Sequence, residues 1–518
     1  MKRLILVFLS LFLCFLAVSA RIIYINKDFS ARVFGSFNSK SVEMANLRGT
    51  IFDCNKKRLT NEFYQKQVAV APNAKAVNAV SKYLSENDRK TLANGFPIRV
   101  KVGENFSSKS VCTVLTPKRY SNVAAHIIGY CNAENNGVCG IEKAYNSVLK
   151  GHKIKVKFTC SAKGEVSGAG EVQGSPEYFG RGIMLTIDKK IQKICEKIAK
   201  KRLNAGAIIV IENKNGKLRA LTSAPSFEQN DVEKSLDSPA SPFLNRAIDN
   251  YNCGSIFKLC VAAASLYYNI SLKYNCNGKI KIGNNTFKCL KKHKNADLER
   301  AIASSCNCYF IKLGLAVGAK RLLNFAKLCG FGCDIKLCDG IVASSAFLPK
   351  INDLSNSPAS LALFSFGQGS LLVSPLQIAS LVQMIANNGK KITPSLVEGV
   401  TDYKGNLIKS SKQNSPTFVI DEKSAKIMQK CMISCVKCGT GTRARLKNGT
   451  AGGKTATAET GIFDKSGKAV KQTWFGGFFP AKNPKYSVVV LAENGDSGGK
   501  TAAPIFKEIA EQINSIKN

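Results

Sequence analysis

Residues 253–270 read CGSIFKLCVAAASLYYNI. Past Lys258 the run is almost wholly apolar or small, which predicts a buried helix over 255–270. If Ser255 opens that helix, Lys258 lies one turn on, on the same face. A serine hydroxyl is a weak nucleophile and needs an adjacent base. A lysine serves if burial and the positive end of the helix lower its pKa. The first turn also offers a free backbone N–H to an oxyanion. Ser-x-x-Lys alone recurs by chance in any lysine-rich chain, where it marks a helix cap beside a surface lysine.

Two further patterns lie downstream. ASSCNCYF (303–310) contains Ser305-Cys306-Asn307, and GGKTATAE (452–459) contains Lys454-Thr455-Ala456-Thr457 on an expected strand. Around them, LTIDKKIQ (185–192) predicts a short strand and a helix capped by Asp188. GAIIVIENKNGKLRALTSAPSF (206–227) predicts a hairpin turning at Asn213–Gly216. Residues 375–389 and 423–436 and a last stretch from about Pro504 to Ile516 read as helices. KTATAE, TWFGGFF and YSVVVLAEN read as strands. Hairpin, helices, late strands and a closing helix predict an α+β domain, an antiparallel sheet between helical layers.

The 518 residues are too many for one ordinary domain. Lys2 and Arg3 precede the unbroken run LILVFLSLFLCFLAVSA (Leu4–Ala20), which reads as a signal sequence or a short transmembrane helix. Both readings put the rest of the chain outside the cytoplasm. The basic flank favours an N-in orientation. Residues 26 to about 178 form a mixed module with a strand-turn-strand pattern around Asn55, ending in the Gly- and Ser-dotted stretch 161–182. The formal charge of +40 suits polyanionic surroundings. Lysine dominates the basic residues, however, and no zinc finger, basic zipper or RNP aromatic pattern is present, so no nucleic-acid partner is expected. The only histidines are His126, His152 and His293, none in a nucleophile-elbow context, and a Ser-His-Asp triad is not expected. The 19 cysteines are scattered rather than arranged as a disulfide scaffold. Cys431, Cys435 and Cys438 read as thiols on a helix, and Cys306 and Cys308 as packing residues. No cofactor and no metal site are expected.

The ordered set Ser255-x-x-Lys258, Ser305-x-Asn307 and Lys454-Thr455-Ala456 resembles the signature of penicillin-recognising acyltransferases. Further stretches carry the resemblance along nearly the whole chain: RGTIFDCN (48–55), HIIGY (126–130), GIEKAYNSVLKG (140–151), LNRAIDNYNCGSIFK (244–258), SFGQGSLLVSPLQIASLVQMIANNGK (365–390) and GTGTRARLKNGTAGGKTATAE (439–459). The chain resembles a class B penicillin-binding protein, a peptidoglycan D,D-transpeptidase. The resemblance implies a β-lactamase-like transpeptidase domain over 179–518, an N-terminal pedestal, dimerisation-type, module over 26–178, and an anchor over 1–25. The pedestal is short and no glycosyltransferase-sized domain precedes it, so a bifunctional class A enzyme is not expected.

The resemblance also implies roles. Ser255 attacks the penultimate D-Ala carbonyl of a stem peptide ending in D-Ala-D-Ala, and Lys258 takes its proton. The N–H groups of Ser255 and Thr457 form the oxyanion hole. Ser305 relays a proton to the leaving amine, and Asn307 holds Lys258 and the substrate amide. Lys454 supplies positive charge, and Thr455 and Thr457 bind the terminal carboxylate. β-Lactams acylate the same serine, and a membrane glycan polymerase is the implied partner. Ala456 stands where the family has Gly, so its methyl is expected to crowd the substrate or alter β-lactam fit. Cys253 replaces a common Pro. Cys276 and Cys289 match a pair found in some relatives, either a disulfide or free thiols. The alternatives are a D,D-carboxypeptidase and a degenerate, non-catalytic scaffold or β-lactam sensor. A class A β-lactamase is disfavoured, since no Glu-x-x-Leu-Asn stretch lies between the second and third motifs.

Overall fold

The structure, a computed structural model, describes residues 2–29, 39–161, 165–174, 180–338, 340–463, 467 and 469–516. The chain divides into two compact units. The smaller takes Met1–Arg48, Asn61–Lys118 and Lys150–Gly180, and the larger takes Gly49–Thr60, Arg119–Leu149 and Arg181–Asn518.

The smaller unit begins with helix α1 (Lys2–Phe29). Its stretch Val7–Tyr24 has a mean hydropathy of 2.2 and is not buried among the described residues, and by length and composition it is able to cross a membrane. Strand Ser39–Arg48 pairs with Lys150–Cys160, which pairs with Val166–Gln173, all antiparallel. Lys150–Cys160 shows why it is a strand: Ile154, Val156 and Phe158 are buried and alternate with Lys153, Lys155 and Lys157.

The larger unit is built on a five-stranded sheet. Its strands are β1 (Gly206–Glu212), β2 (Lys217–Ala224), β3 (Gly452–Phe463), β4 (Ala469–Phe479) and β5 (Tyr486–Glu493), in the spatial order β2-β1-β5-β4-β3. Every pairing is antiparallel. Strand β5 explains the layers. Val489 and Leu491 join one apolar cluster with Ile378 and Val382 of helix α6 (Pro375–Ala386). Val488 and Val490 join another with Ile191 of α2 (Lys189–Arg202) and Phe506 and Ile509 of α8 (Ala503–Ser515). A strand buried on both faces reads as a continuous apolar run, and here it puts the sheet between helical layers, as expected. The remaining helices that frame the site are α3 (Lys258–Tyr267), α4 (Leu298–Ser304), α5 (Asn307–Val317) and α7 (Glu422–Cys438).

The packing does not follow a single cut at residue 179. Residues 49–60 and 119–149, expected in the N-terminal module, belong to the larger unit. The physical reason is local pairing. Ile51–Phe52 runs parallel to Gly182–Leu185, which also pairs with Val397–Thr401. The turn around Asn55 forms as the sequence suggests, with Asp53 Oδ1 accepting from the N–H groups of Asn55 (2.8 Å) and Lys57 (2.7 Å). Arg119 then fastens the second segment. Its Nε donates to Glu142 Oε1 at 2.7 Å, its Nη2 lies 2.6 Å from the same oxygen as an ion pair, and its Nη1 donates to Gly49 O at 2.8 Å. The Glu142 side chain is fully buried.

Removing one partner of a buried ion pair leaves the other desolvated and uncompensated. Glu142→Gln is therefore expected to lower the unfolding free energy by about 3 kcal/mol, measured by denaturant unfolding of the full chain in detergent.

Candidate active site

Ser255 is carried by a turn stitched to the sheet. The Asn252 N–H donates to Gln472 Oε1 at 2.7 Å, its carbonyl accepts from Trp474 Nε1–H at 2.9 Å, and its Nδ2 donates to Glu459 O at 3.2 Å. Trp474 is fully buried, so this bond satisfies the indole N–H that burial would otherwise orphan. Gly254 follows with φ +57°, a region that favours glycine, and a Cβ there would lie 3.0 Å from Thr457 O and 3.1 Å from the Ala458 Cβ. On the other side, a Cβ on Gly367 would lie 2.0 Å from Gly254 O. The expected helix over 255–270 is a 3₁₀ turn, Gly254–Phe257, followed by α3, which ends at Tyr267. Cys253 is wholly buried, and burial pushes its thiol up to about 12, which leaves it inert.

Lys258 is fully buried on the first turn of α3. Its Nζ donates to Asn307 Oδ1 at 2.6 Å and to Ser305 O at 2.9 Å, and lies 3.2 Å from Ser305 Oγ. Ser305 and Asn307 reach it because the chain breaks between α4 and α5. Ser305 caps α4 in the left-handed region (φ +56°), and Cys306 caps α5, its sulfur accepting from Tyr309 N at 3.4 Å. Lys454, also fully buried, comes from β3 and donates to Ser305 Oγ at 2.9 Å and to Thr455 O at 2.8 Å. Burial holds the Lys258 pKa well below the usual lysine value, with repulsion from Lys454 adding to it. Burial brings Lys454 to about 8. A neutral lysine keeps two N–H donors and gains a lone pair. The two carbonyl acceptors take the donors, and the lone pair is left to a hydroxyl proton. The two lysines and the Ser305 hydroxyl thus form a path along which a proton can move. Among the described residues, the Ser255 hydroxyl is not one of the hydrogen-bond partners of Lys258.

Strand β3 is the edge of the sheet, and an edge leaves backbone groups free to pair with an extended ligand. Ser255, Ser305, Asn307, Thr455, Ala456 and Thr457 all line one cleft of about 650 Å³. Thr455 Oγ1 shares a hydrogen bond of 2.6 Å with Thr440 Oγ1, and Thr457 Oγ1 accepts from Gly498 N at 3.1 Å. Asn307 Nδ2 donates to Lys288 O at 2.9 Å, so one of its two amide hydrogens is already taken. Ala456 is 3 % exposed, lies opposite Trp474 in the strand register and belongs to the same apolar cluster. The methyl expected to crowd a ligand is thus largely accommodated by packing. The cleft also takes in Gln368, Thr440, Arg443 and Lys500, to which no role follows from the sequence motifs. Thr440 and Arg443 do stand in the family-like stretch GTGTR, which is the signal that could have found them.

The Ser305–Cys308 stretch also delivers two thiols to a sulfur-rich cluster. Cys289 Sγ lies 3.8 Å from Cys276 Sγ, 3.8 Å from Cys306 Sγ and 3.4 Å from Cys308 Sγ, and Cys276 Sγ lies 3.7 Å from His293 Nδ1. Cys276 and Cys289 are free thiols, not a disulfide. Cys431 and Cys435 are buried on α7, and Cys438 is exposed.

The family model "Penicillin binding protein transpeptidase domain" matches residues 206–511, more than half of the chain. "Stage V sporulation protein D" of Bacillus subtilis is 29% identical over 410 residues, 75% of this chain and 62% of that protein. "Peptidoglycan D,D-transpeptidase PbpA" of Mycolicibacterium smegmatis is 29% identical over 328 residues, 58% of this chain and 65% of that protein. The chain thus spans less than two thirds of the length of these relatives. A solved structure described as "Structural coordination of polymerization and crosslinking by a peptidoglycan synthase complex" has a TM-score of 0.73 at 22% identity, covering 98% of this chain and 99% of that one. Penicillin binding protein 3 of Mycobacterium tuberculosis in complex with aztreonam has a TM-score of 0.67 at 20% identity, covering 91% and 96%. Both share the fold.

The left-handed Gly254 gives a direct test of how the nucleophile turn is held. Gly254→Ala is expected to lower stability by about 1–2 kcal/mol from its backbone alone, with more from the contact with Thr457 O. Thermal and denaturant melts of the two proteins measure it.

Proposed function

The chain belongs to the penicillin-binding protein transpeptidase family, and from that premise we propose that it is a peptidoglycan D,D-transpeptidase working through a Ser255 acyl-enzyme. The observation that carries the reading is the convergence of two buried lysines on the Ser305 hydroxyl, at 3.2 and 2.9 Å, in the cleft that holds Ser255. Lys258 is the base because its ammonium form is disfavoured by burial and by Lys454. As Ser255 Oγ attacks the penultimate D-Ala carbonyl, its proton passes to Lys258. The N–H groups of Ser255 and Thr457 hold the developing oxyanion. When the intermediate collapses, Lys258 returns the proton through Ser305 to the amine of the departing D-Ala. Lys454, with the Thr455 and Thr457 hydroxyls, binds the terminal carboxylate. An amine from a neighbouring stem peptide then attacks the Ser255 ester and restores the serine.

Helix α1 serves as the membrane anchor, with the rest of the chain outside the cytoplasm. β-Lactams acylate Ser255 in place of the stem peptide. The strands to be crosslinked come from a membrane glycan polymerase, which is the proposed partner.

Labelling with a fluorescent penicillin tests the reading. Wild type is expected to be labelled and Ser255→Ala is not. Absence of Ser255-dependent acylation by both penicillin and a D-Ala-D-Ala depsipeptide would leave the scaffold or sensor alternative standing. Crosslinked dimer, rather than trimmed tetrapeptide, separates transpeptidase from carboxypeptidase.

The acylation rate is expected to be bell-shaped in pH. It falls on the acid side as Lys258 gains a proton, below its depressed pKa. It falls on the alkaline side above about pH 8, as Lys454 loses the charge that holds the carboxylate. Lys454→Gln is expected to weaken acylation and remove the alkaline limb in stopped-flow measurements.

A further inference from the structure

Three separate chain segments bring sulfur and nitrogen donors to one point beside the Ser305–Asn307 loop. Strand Tyr274–Cys276 pairs with Lys294–Ala296, Cys276 opposite Lys294, which sets His293 next to Cys276. The hairpin Lys279–Ile282 and Asn285–Lys288 returns the chain so that Cys289 follows its second strand. Cys306 arrives at the start of α5. The ligand atoms of Cys276, Cys289, His293 and Cys306 all lie within 4.8 Å of one another.

Those distances match a coordination shell. A tetrahedral zinc with Zn–S of about 2.3 Å and Zn–N of about 2.0–2.1 Å sets edges of about 3.8 Å between sulfurs and about 3.6 Å between sulfur and nitrogen. The cluster has sulfur edges of 3.8 Å, Cys276 to Cys289 and Cys289 to Cys306, and a sulfur–nitrogen edge of 3.7 Å from Cys276 to His293 Nδ1. Two backbone N–H groups already point at the sulfurs. Tyr309 N–H donates to Cys306 Sγ and Cys308 N–H to Cys289 Sγ, each at 3.4 Å. His293 Nε2 is buried without a hydrogen-bond partner. The nitrogen that the ring turns toward the sulfurs is Nδ1, 3.7 Å from Cys276 Sγ. Three thiolates and one imidazole around a divalent ion carry a net charge of −1, and the exposed Lys288, Lys291, Lys292 and Lys294 lie along the same segment.

We propose that Cys276, Cys289, His293 and Cys306 bind one zinc ion. Soft thiolates in a tetrahedral set with one imidazole select zinc over calcium or magnesium, which take oxygen ligands. All four protein ligands are supplied, so the site is closed and structural. Its task is mechanical: Cys306 is the residue between Ser305 and Asn307, so the ion ties that loop to the Tyr274–Ala296 hairpins. This departs from the expectation of no metal.

The test is metal content, which does not depend on the acylation reading. Full chain purified in detergent under reducing conditions, loaded with zinc and desalted, is expected to retain one zinc per chain by elemental analysis. Loaded with cobalt instead, it is expected to show the intense visible bands and near-ultraviolet charge-transfer band of a tetrahedral thiolate site. Cys289→Ser is expected to lower zinc affinity by about 100-fold or more, against a chelating indicator. Cys308→Ser and the exposed Cys333→Ser are expected to retain the ion. Near-ultraviolet circular dichroism of each variant separates lost metal from lost fold. Wild type that binds neither ion overturns the site, as does a Cys276–Cys289 disulfide found by mass in the protein as first isolated under non-reducing conditions. Loss of zinc in Cys308→Ser with retention in Cys306→Ser overturns the ligand set.

Discussion

The structure depends on keeping two lysine nitrogens out of water and within reach of one hydroxyl. Lys258 and Lys454 are both fully buried, and their hydrogen bonds run to uncharged oxygens. Such a pair is unfavourable as an ordinary core element, because burial disfavours both charged forms and repulsion from Lys454 adds to the penalty on Lys258. The fold answers by supplying acceptors from three directions: Ser305 and its carbonyl, the Asn307 amide oxygen, and the Thr455 carbonyl. Three elements must be in register: α3 for Lys258, the break between α4 and α5 for Ser305 and Asn307, and β3 for Lys454 and Thr455. The sheet and its helical layers are the frame that holds these three in place.

Much of this was legible in the sequence. Apolar runs and turn residues located the 206–227 hairpin, the helices near 375 and 423, and the three late strands. Ordered short motifs located Ser255, Lys258, Ser305, Asn307 and Lys454, which the structure brings to one place. What stayed hidden is what depends on tertiary pairing. Residues 49–60 and 119–149 look like part of the N-terminal module by position, and only the pairing of Ile51–Phe52 with Gly182–Leu185 and the bonds of Arg119 put them in the larger unit. Cys276 and Cys289 look like an isolated pair. Nothing in the spacing says that two hairpins and a helix start will bring His293 and Cys306 to them. The helix at 255 begins as a 3₁₀ turn for a reason equally invisible in periodicity, since its first residue is pressed between Thr457 O and Gly367.

Ala456 shows the same limit from the other side. Sequence comparison with the family pattern marks a methyl where none is usual. Whether that methyl matters depends on its neighbours, and the strand register puts Trp474 opposite it, in a shared apolar cluster. A departure from a motif is a question about packing before it is one about chemistry.

The contact between Gly254 and Thr457 O has a consequence for how the cleft can change. The turn that carries the nucleophile and the edge strand that forms the facing wall meet backbone to backbone, and Asn252 is hydrogen-bonded to β3 and to its neighbour β4. The two walls are mechanically geared. Drift that widens the groove for a bulkier ligand must also swing the attacking oxygen, so breadth of accepted ligands and accuracy of attack are traded against each other through a single joint.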